Sequence, residues 1–225
     1  MKLAFISDIH GNIRFLEQVL AVIRAEGIRE IFCAGDLIGY YEAADQVVSA
    51  VRREDIRCVK GNHEQMFLGE LPCPPEKDAV YRLRQTSLSQ ENLRYICSLP
   101  DEIRLAKDGV EMYITHGVPG DTAKYADQED LRQLHLPAGT EVYVYGHTHH
   151  ASVYYYNGVC FINPGSAGQI RDYTGSVSFA TWDTQSRTAA IHRCPVDAAS
   201  YMEYLKKKNA AAPEAIAILG RRKDE

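Results

Sequence analysis

The sequence lacks the features that mark several classes of protein. Its six cysteines form no Cys-x-x-Cys pair, so neither a zinc ribbon nor a dithiol redox motif is indicated. It has no apolar run long enough to span a bilayer and no low-complexity segment. Basic residues are not in excess, because 25 Lys and Arg stand against 30 Asp and Glu, for a net charge of −5. That balance gives no general reason to expect binding to nucleic acid or to an anionic membrane.

What remains is the composition of an ordinary globular protein, with 45% hydrophobic and 24% charged residues. A chain of 225 residues can bury one core and no linker divides it, so we expect a single domain over residues 1–225. The opening apolar run is too short for the core of a signal peptide. The scattered cysteines are typical of reduced thiols. The expected compartment is therefore the cytoplasm.

The hydrophobic pattern at the start of the chain alternates strands with helices. Short apolar runs predict strands at 3–6, 31–34 and 56–59. Apolar residues at helical spacing predict a helix that is opened by Asn12 and stopped at Gly27, and a second helix at about 43–54. This alternation predicts a mainly parallel sheet, in which ligand sites lie at the carboxyl ends of the strands.

Hairpins dominate the later part of the chain. Lys107-Asp108-Gly109 and Asn157-Gly158 are turn signals between apolar runs. The predicted strands are 103–106, 110–115, 142–145, 153–156, 159–162, 177–182 and 188–192. These patterns predict an α/β protein in which each half of the chain forms one sheet, the second mostly antiparallel. The two sheets should pack face to face with helices outside.

Two regions stand outside this pattern. Residues 65–100 include Pro72, Pro74 and Pro75 near their start and two helical segments, the second starting near Ser89 as its N-cap. This helical insertion could shape a substrate cleft. A surface segment with no role in a cleft fits the sequence equally well. The last region, at about 197–225, is predicted to be a helical tail. Its basic runs at 206–208 and 221–223 are interpreted as solvated helix ends.

Polar side chains cluster where the predicted strands end. They are Asp8, His10, Asp36, Asn62, His63, His116, His147 and His149. Carboxylate, imidazole and amide groups without thiolate suit manganese, iron or zinc in a reactive site. The set is too large for one ion, whereas two ions that share a bridging carboxylate would use it. Taken singly, each residue also has a structural interpretation, as a helix cap, a turn former or a buried core histidine.

The polar residues fall into five blocks whose order resembles that of the calcineurin-like metallophosphoesterases. The blocks are Asp8-x-His10, Gly35-Asp36, Gly61-Asn62-His63-Glu64, His116-Gly117 and Gly146-His147-Thr148-His149. The segments Asn163-Pro164-Gly165-Ser166 and Gly168-Gln169-x-Arg171-Asp172 further resemble the small bacterial branch described as phosphodiesterase or diadenosine-tetraphosphatase-like. The resemblance implies two mixed β-sheets packed as a sandwich flanked by helices, the four-layer metallophosphoesterase fold.

The resemblance also implies a role for each residue in the blocks. It places Asp8, His10 and His149 on a first ion, and Asn62, His116 and His147 on a second, with Asp36 as the bridge. It makes His63 the catalytic histidine, which stabilises the phosphoryl transition state or protonates the leaving oxygen. A hydroxide that bridges the metals would be the nucleophile. Two divalent ions are expected, manganese first, with iron, zinc, nickel or cobalt as alternatives.

The substrate is less closely defined by sequence. The branch resemblance implies a phosphodiesterase or dinucleoside polyphosphate hydrolase acting on a phosphorylated small molecule or nucleotide. The alternatives are a phosphomonoesterase or phosphoprotein phosphatase, and a non-catalytic scaffold. Arg171 is the candidate phosphate clamp, although a surface ion pair with Asp172 is an equal alternative, and His150 is a candidate substrate contact. The turn after Tyr40 departs from the branch, because Tyr41-Glu42-Ala43-Ala44-Asp45 stands where a Gly-Pro-rich turn is expected.

Overall fold

A computed structural model describes residues 1–221. The strands are β1 Lys2–Ile6, β2 Glu30–Cys33, β3 Arg57–Cys58, β4 Ile103–Lys107, β5 Val110–Ile114, β6 Val142–Val144, β7 Ser152–Tyr156, β8 Val159–Asn163, β9 Ser176–Asp183 and β10 Thr188–Pro195. The α-helices are α1 Ile13–Ala25, α2 Ala44–Arg53, α3 Asn62–Leu68, α4 Pro75–Tyr81, α5 Gln90–Ser98, α6 Gln128–Arg132, α7 Ala198–Lys208 and α8 Pro213–Gly220. None of the helices in these residues is long and apolar enough to cross a membrane.

The first sheet has the strand order β10-β9-β1-β2-β3. β1, β2 and β3 are parallel, as the alternation of strands and helices predicts. α1 begins after Asn12, whose side chain accepts a hydrogen bond from the Phe15 N–H, and Gly27 follows its end with φ +71°. The predicted parallel unit and the limits of its first helix are therefore confirmed.

The second sheet has the order β4-β5-β6-β8-β7. β5, β6 and β8 are parallel to one another, and the edge strands β4 and β7 are antiparallel to their neighbours. The expectation of a mostly antiparallel sheet is wrong, because the long segment between β5 and β6 returns the chain in the same direction instead of closing a hairpin. Both sheets are mixed, which confirms the fold that the resemblance implies.

The expectation that each half of the chain forms its own sheet is also wrong. β9 pairs antiparallel with β1, so the last hairpin joins the first sheet. Six successive residues of β9 are buried, and a strand that is covered on both faces needs a place inside a sheet. The free edge of β1 provides that place. The site at the end of β1 therefore rests on strands from both ends of the chain.

The two faces of β1 pack into different cores. Leu3 and Phe5 contact the other sheet, where Met112 and Val144 belong to the same apolar cluster. Ala4 and Ile6 pack on the opposite side with apolar residues of α1 and α2. This alternation follows from the period of two along a strand. It produces a sandwich of two sheets with helices outside and leaves the strand ends at one edge.

The helical segment between β3 and β4 differs in detail from the prediction. It contains α3, α4, a 3₁₀ turn at Leu83–Gln85 and α5, where two helices are expected. Ser89 caps α5 by accepting a hydrogen bond from the Asn92 N–H, as predicted. α3 starts at Asn62, so the candidate residues after β3 lie in the first turn of a helix. In the tail, α7 and α8 are separate helices, and 222–225, with part of the basic run at 221–223, lie outside the described residues.

Candidate metal centre and active site

The structure brings all eight candidate residues together at one edge of the sandwich, and all eight are buried. They follow β1, β2, β3, β5 and β6, the five strands whose ends meet there. Five of them have left-handed backbones, with φ between 55° and 67°: Asp8, His10, Asp36, His147 and His149. Such conformations cost free energy in residues other than glycine and are concentrated at functional sites.

Asp8, His10 and His149 form the first group. His149 Nε2 lies 3.2 Å from Asp8 Oδ1 and 3.1 Å from His10 Nε2. His10 Nε2 lies 3.8 Å from Asp8 Oδ1. The three ligand atoms therefore lie within 4.8 Å of one another, close enough to bind one cation.

Asp36, His116 and His147 form a second group of the same size. His116 Nε2 lies 3.2 Å from Asp36 Oδ2 and 2.9 Å from Asn62 Oδ1. Asp36 Oδ2 also lies 3.7 Å from His10 Nε2, which belongs to the first group. One carboxylate oxygen thus stands between the two groups, the position that a bridging ligand requires.

The outer ring nitrogens of four histidines are anchored to backbone carbonyls. The pairs are His10 Nδ1 with Ile38 O at 3.2 Å, His116 Nδ1 with Ala34 O at 2.6 Å, His149 Nδ1 with Gln169 O at 2.8 Å, and His147 Nε2 with Ala123 O at 3.0 Å. A carbonyl oxygen only accepts, so the outer nitrogen donates its N–H. In a neutral ring, the inner nitrogen then keeps its lone pair. Histidines that bind metals are commonly oriented in this way.

The charges of the cluster favour a bound cation. Burial raises the pKa of Asp36, but His116 and the other histidines outweigh it and hold that pKa well below its usual range. Burial lowers the pKa of His147 to about 4, so this ring is neutral near pH 7. Burial also lowers the pKa of His116, but Asp36 and Asp8 outweigh this and raise it to about 10. Asp8 Oδ1 is buried and has no hydrogen-bond partner in the described residues. A divalent cation would neutralise this excess of buried negative charge and would give Asp8 Oδ1 a partner.

His63 lies beside the two groups. Its Nε2 is 3.9 Å from Asp36 Oδ2, and its ring packs against Tyr40 and Tyr81 at centroid distances of 5.1 and 4.5 Å. The two tyrosine rings also contact each other, at 5.0 Å. Burial lowers its pKa to about 4. Gly39 permits this packing, because a Cβ there would lie 2.2 Å from His63 Nδ1, on a backbone with φ +94°. His63 is also within ligand range of His10 and Asp36, so its distinction from a metal ligand stays a prediction.

Glu64 has a structural role that the sequence reasoning missed. Its fully buried carboxylate accepts hydrogen bonds from four backbone N–H groups, those of Asp36, Leu37, Ile38 and Gly61, at 2.8–3.1 Å. It thereby joins the loop after β2 to the start of α3. Burial and Asp36 raise the pKa of Glu64 to about 7, while the bonds from the backbone oppose that rise. The sequence does contain a signal for this role, because Glu64 lies three residues after Gly61, which is the spacing of a capping box.

The segment after β8 supports the loops that carry the metal candidates. Ser166 Oγ donates a hydrogen bond to the Asp8 carbonyl at 2.7 Å. The Asn163 side chain donates to Gly146 O and Thr148 Oγ1, both at 3.0 Å. The Asn163-Pro164-Gly165-Ser166 segment that resembles the bacterial branch therefore connects the first strand of one sheet to the ligand loop of the other.

A cavity of about 130 Å³ opens at this cluster. Its lining includes Asp36, Asn62, His63, His147, His149 and Arg171, together with Tyr40, Met66, Leu71, Pro72, Pro74, Lys77, Tyr81, Ala123 and Tyr125. The insertion supplies six of these residues, from 66 to 81, so it forms a wall of the cavity. The tyrosines and Lys77 were not predicted as site residues, because they come from irregular segments and helix faces whose positions the local pattern does not define.

Arg171 is held in the cavity wall by neutral groups. Its guanidinium donates to Gln169 Oε1 at 2.8 Å and to the hydroxyls of Tyr125 and Tyr40, both at 2.9 Å. Asp172 forms its ion pair with Arg193 instead, at 2.5 Å, so the predicted alternative of an Arg171–Asp172 pair is not observed. His150 is exposed and is not among the residues that line the cavity.

The family assignment follows from a comparison with known families. The model of the calcineurin-like phosphoesterase superfamily domain matches residues 1–187. The chain belongs to this superfamily. This calcineurin-like phosphoesterase is therefore a hydrolase of a family that depends on metal, and its matched region contains every candidate residue named above.

Similar proteins extend over nearly the whole length of this phosphoesterase. An uncharacterised protein of Methanocaldococcus jannaschii is 29% identical over 223 residues, which cover 91% of this chain and 92% of that protein. The crystal structure of a metallophosphoesterase from Sphaerobacter thermophilus superposes with a TM-score of 0.77 at 24% identity, covering 98% and 99% of the two chains. A hypothetical protein from Pyrococcus horikoshii superposes with a TM-score of 0.80 at 17% identity, covering 97% of each chain. The two superpositions show a shared fold.

Proposed function

We propose that this phosphoesterase uses two divalent metal ions to hydrolyse phosphodiesters or dinucleoside polyphosphates. The observation that carries the proposal is the position of Asp36 Oδ2, 3.7 Å from His10 Nε2 in one ligand group and 3.2 Å from His116 Nε2 in the other. Solved structures with the same fold include an archaeal phosphodiesterase and a putative diadenosine tetraphosphatase, with TM-scores of 0.56 and 0.57. Their names define the substrates to test.

We assign the ligand groups to the two ions as the family resemblance implies. Asp8, His10 and His149 would hold the first ion, Asn62, His116 and His147 the second, and Asp36 would bridge them. Two such ions, manganese in our proposal, would lower the pKa of a bound water and neutralise phosphate oxygens during displacement at phosphorus. The cytoplasmic location is proposed from the cysteines, of which all six are free.

His63 is proposed to act on the phosphoryl group without binding metal. Its low pKa of about 4 makes the ring neutral near pH 7. A neutral ring with its proton on Nε2 donates a hydrogen bond and carries no charge. We therefore assign His63 Nε2–H to the stabilisation of a phosphoryl or leaving oxygen. Tyr40 and Tyr81 pack against the ring and hold it in place.

Arg171 is proposed to bind a phosphate oxygen. Three of its five N–H groups are used by Gln169, Tyr40 and Tyr125, which leaves one on each terminal nitrogen. No carboxylate of the described residues lies within 4.0 Å of its guanidinium, so its positive charge is available to an anionic ligand. A phosphate offers paired oxygens that suit the two remaining donors.

The test compares three substrates with added manganese: bis-p-nitrophenyl phosphate, p-nitrophenyl phosphate and diadenosine tetraphosphate. Turnover of the diester or the dinucleotide above the monoester supports the proposal, and a clear preference for the monoester contradicts it. Asp36→Asn should abolish turnover, whereas the exposed carboxylate control Asp108→Asn should retain it. Metal analysis of the purified protein completes the test. Fewer than one transition-metal ion per chain under metal-replete conditions would indicate a non-catalytic scaffold.

A further inference from the structure

The cavity is too small for a complete nucleotide. Its volume of about 130 Å³ lies well below the ~300–1,000 Å³ of typical small-molecule pockets. The metal candidates and Arg171 form its polar wall, so the space beside them suits a phosphate group. Any larger group attached to that phosphate must extend over the rim of the cavity. The residues at the rim therefore decide which substrates bind well.

Tyr125 is the exposed aromatic residue at this rim. Its exposed fraction is 57%, and among the exposed tyrosines of residues 1–221 it alone lines the cavity. One side of its ring packs against His147, with the centroids 4.1 Å apart. Its hydroxyl accepts a hydrogen bond from Arg171 at 2.9 Å. An aromatic ring is thus presented to solvent while two contacts at the site hold it in one orientation.

These contacts join the ring directly to the groups that would bind phosphate. Arg171 is the proposed phosphate clamp and His147 is a candidate metal ligand, and Tyr125 touches both. A planar group linked to that phosphate through a sugar would reach the exposed part of the ring. Because Tyr125 is already oriented, stacking would cost little further conformational entropy. Bases stack on aromatic side chains with little regard to sequence, since every base has a π-face.

We propose that Tyr125 is a stacking platform for the nucleobase of a phosphate ester whose phosphate is bound at the metal centre and Arg171. This inference rests on the proposed function and specifies its substrate as a nucleotide. It assigns Tyr125 to substrate specificity and leaves the chemistry to the buried residues. An aliphatic phosphate of the same charge would bind the same centre without this contact.

The experiment measures binding by isothermal titration calorimetry on the manganese-loaded full chain. The two probes are AMP and ribose 5-phosphate, which share the sugar and the phosphate and differ in the base. Stacking on one aromatic ring should make AMP bind about 5- to 150-fold more tightly than ribose 5-phosphate. Tyr125→Phe keeps the ring and should keep this preference, whereas Tyr125→Leu should lose it. Both variants remove the hydroxyl that Arg171 contacts, so the affinity for ribose 5-phosphate should change by the same factor in Tyr125→Phe and Tyr125→Leu.

The matched control is Tyr155→Leu, because Tyr155 is 55% exposed and lies outside the cavity lining. It should bind both probes as the unaltered protein does. Equal affinity of the unaltered protein for the two probes would overturn the inference and leave the proposed function intact. A preference for AMP that survives in Tyr125→Leu would overturn the assignment to Tyr125. Failure of both probes to bind would contradict the proposed function together with the inference.

Discussion

Replacement of Glu64 by Gln tests the connection between the loop after β2 and α3. In the unaltered protein, Oε2 accepts hydrogen bonds from the N–H groups of Asp36 and Gly61, and Oε1 accepts those of Leu37 and Ile38. Glutamine keeps the shape of the side chain but turns one oxygen into an NH₂ group, which is itself a donor. Whichever way the amide is oriented, two buried N–H groups would face a donor.

The expected loss of stability follows from those two groups. A buried donor without a partner costs about 1–3 kcal/mol, so the two unpaired N–H groups cost about 2–6 kcal/mol. Glutamine also removes the buried charge that raises the pKa of Glu64 to about 7, which offsets part of that cost, so Glu64→Gln should lower the free energy of unfolding by up to about 6 kcal/mol. This is a large share of the ~5–15 kcal/mol that stabilises a typical protein. The Asp36 N–H is one of the affected groups, so the Asp36 carboxylate, the proposed bridge, should also shift and metal affinity should fall.

Urea unfolding of the metal-free protein at pH 8, where the Glu64 carboxyl is mostly ionised, measures the change. The control is Glu70→Gln, which removes the same charge from a partly exposed side chain paired with Lys60. Because Glu70 is exposed and Lys60 keeps a second partner in Asp101 at 3.6 Å, loss of this pair should cost about 0–1 kcal/mol. If the loss in Glu64→Gln is no larger than in Glu70→Gln, the four hydrogen bonds do not stabilise the loop and the reasoning is refuted.

Three further predictions concern the metal centre. His63→Ala should retain metal but lose most turnover, whereas Asp36→Asn should lose both; equal metal loss in the two variants, measured by elemental analysis, would remove the special role of His63. Gly39→Ala should lower turnover, because the alanine methyl group would lie 2.2 Å from His63 Nδ1 and displace the ring. A kcat equal to that of the unaltered protein would show that the ring is not held there. In the metal-free protein, the urea midpoint should be highest near pH 6.5. Below that pH the lowered pKa values of His63 and His147 mean that the unfolded chain binds more protons, which outweighs the one extra proton that the raised pKa of Glu64 keeps in the folded chain. Above that pH the folded chain progressively loses the proton that the raised pKa of His116 retains. Each of these histidines contributes on the order of 3–5 kcal/mol over its full range, and a midpoint that rises steadily from pH 5 to pH 9 would contradict this assignment.

The family and the identity of the clustered residues could be predicted from the sequence alone. Asp8, Asp36 and His116 each follow a short apolar run, and the ends of parallel strands meet at one edge of a sheet. The period of two along β1 and the helical spacing in α1 are local patterns of burial, which is why those elements and their limits were predicted well. The order of the five polar blocks then indicated a metallophosphoesterase.

Only the tertiary structure decided which strands share a sheet and what surrounds the cavity. The pattern of β9 shows that both its faces are buried, but the choice of β1 as its partner depends on contacts between residues far apart in the chain. The same holds for Arg171, whose partners are Tyr40 and Tyr125 and not its neighbour in sequence. Local patterns record how deeply a residue is buried, whereas the partner of a side chain depends on how separate elements pack. The candidate metal ligands can therefore be recognised in the sequence, and the aromatic wall of the cavity appears only in the folded chain.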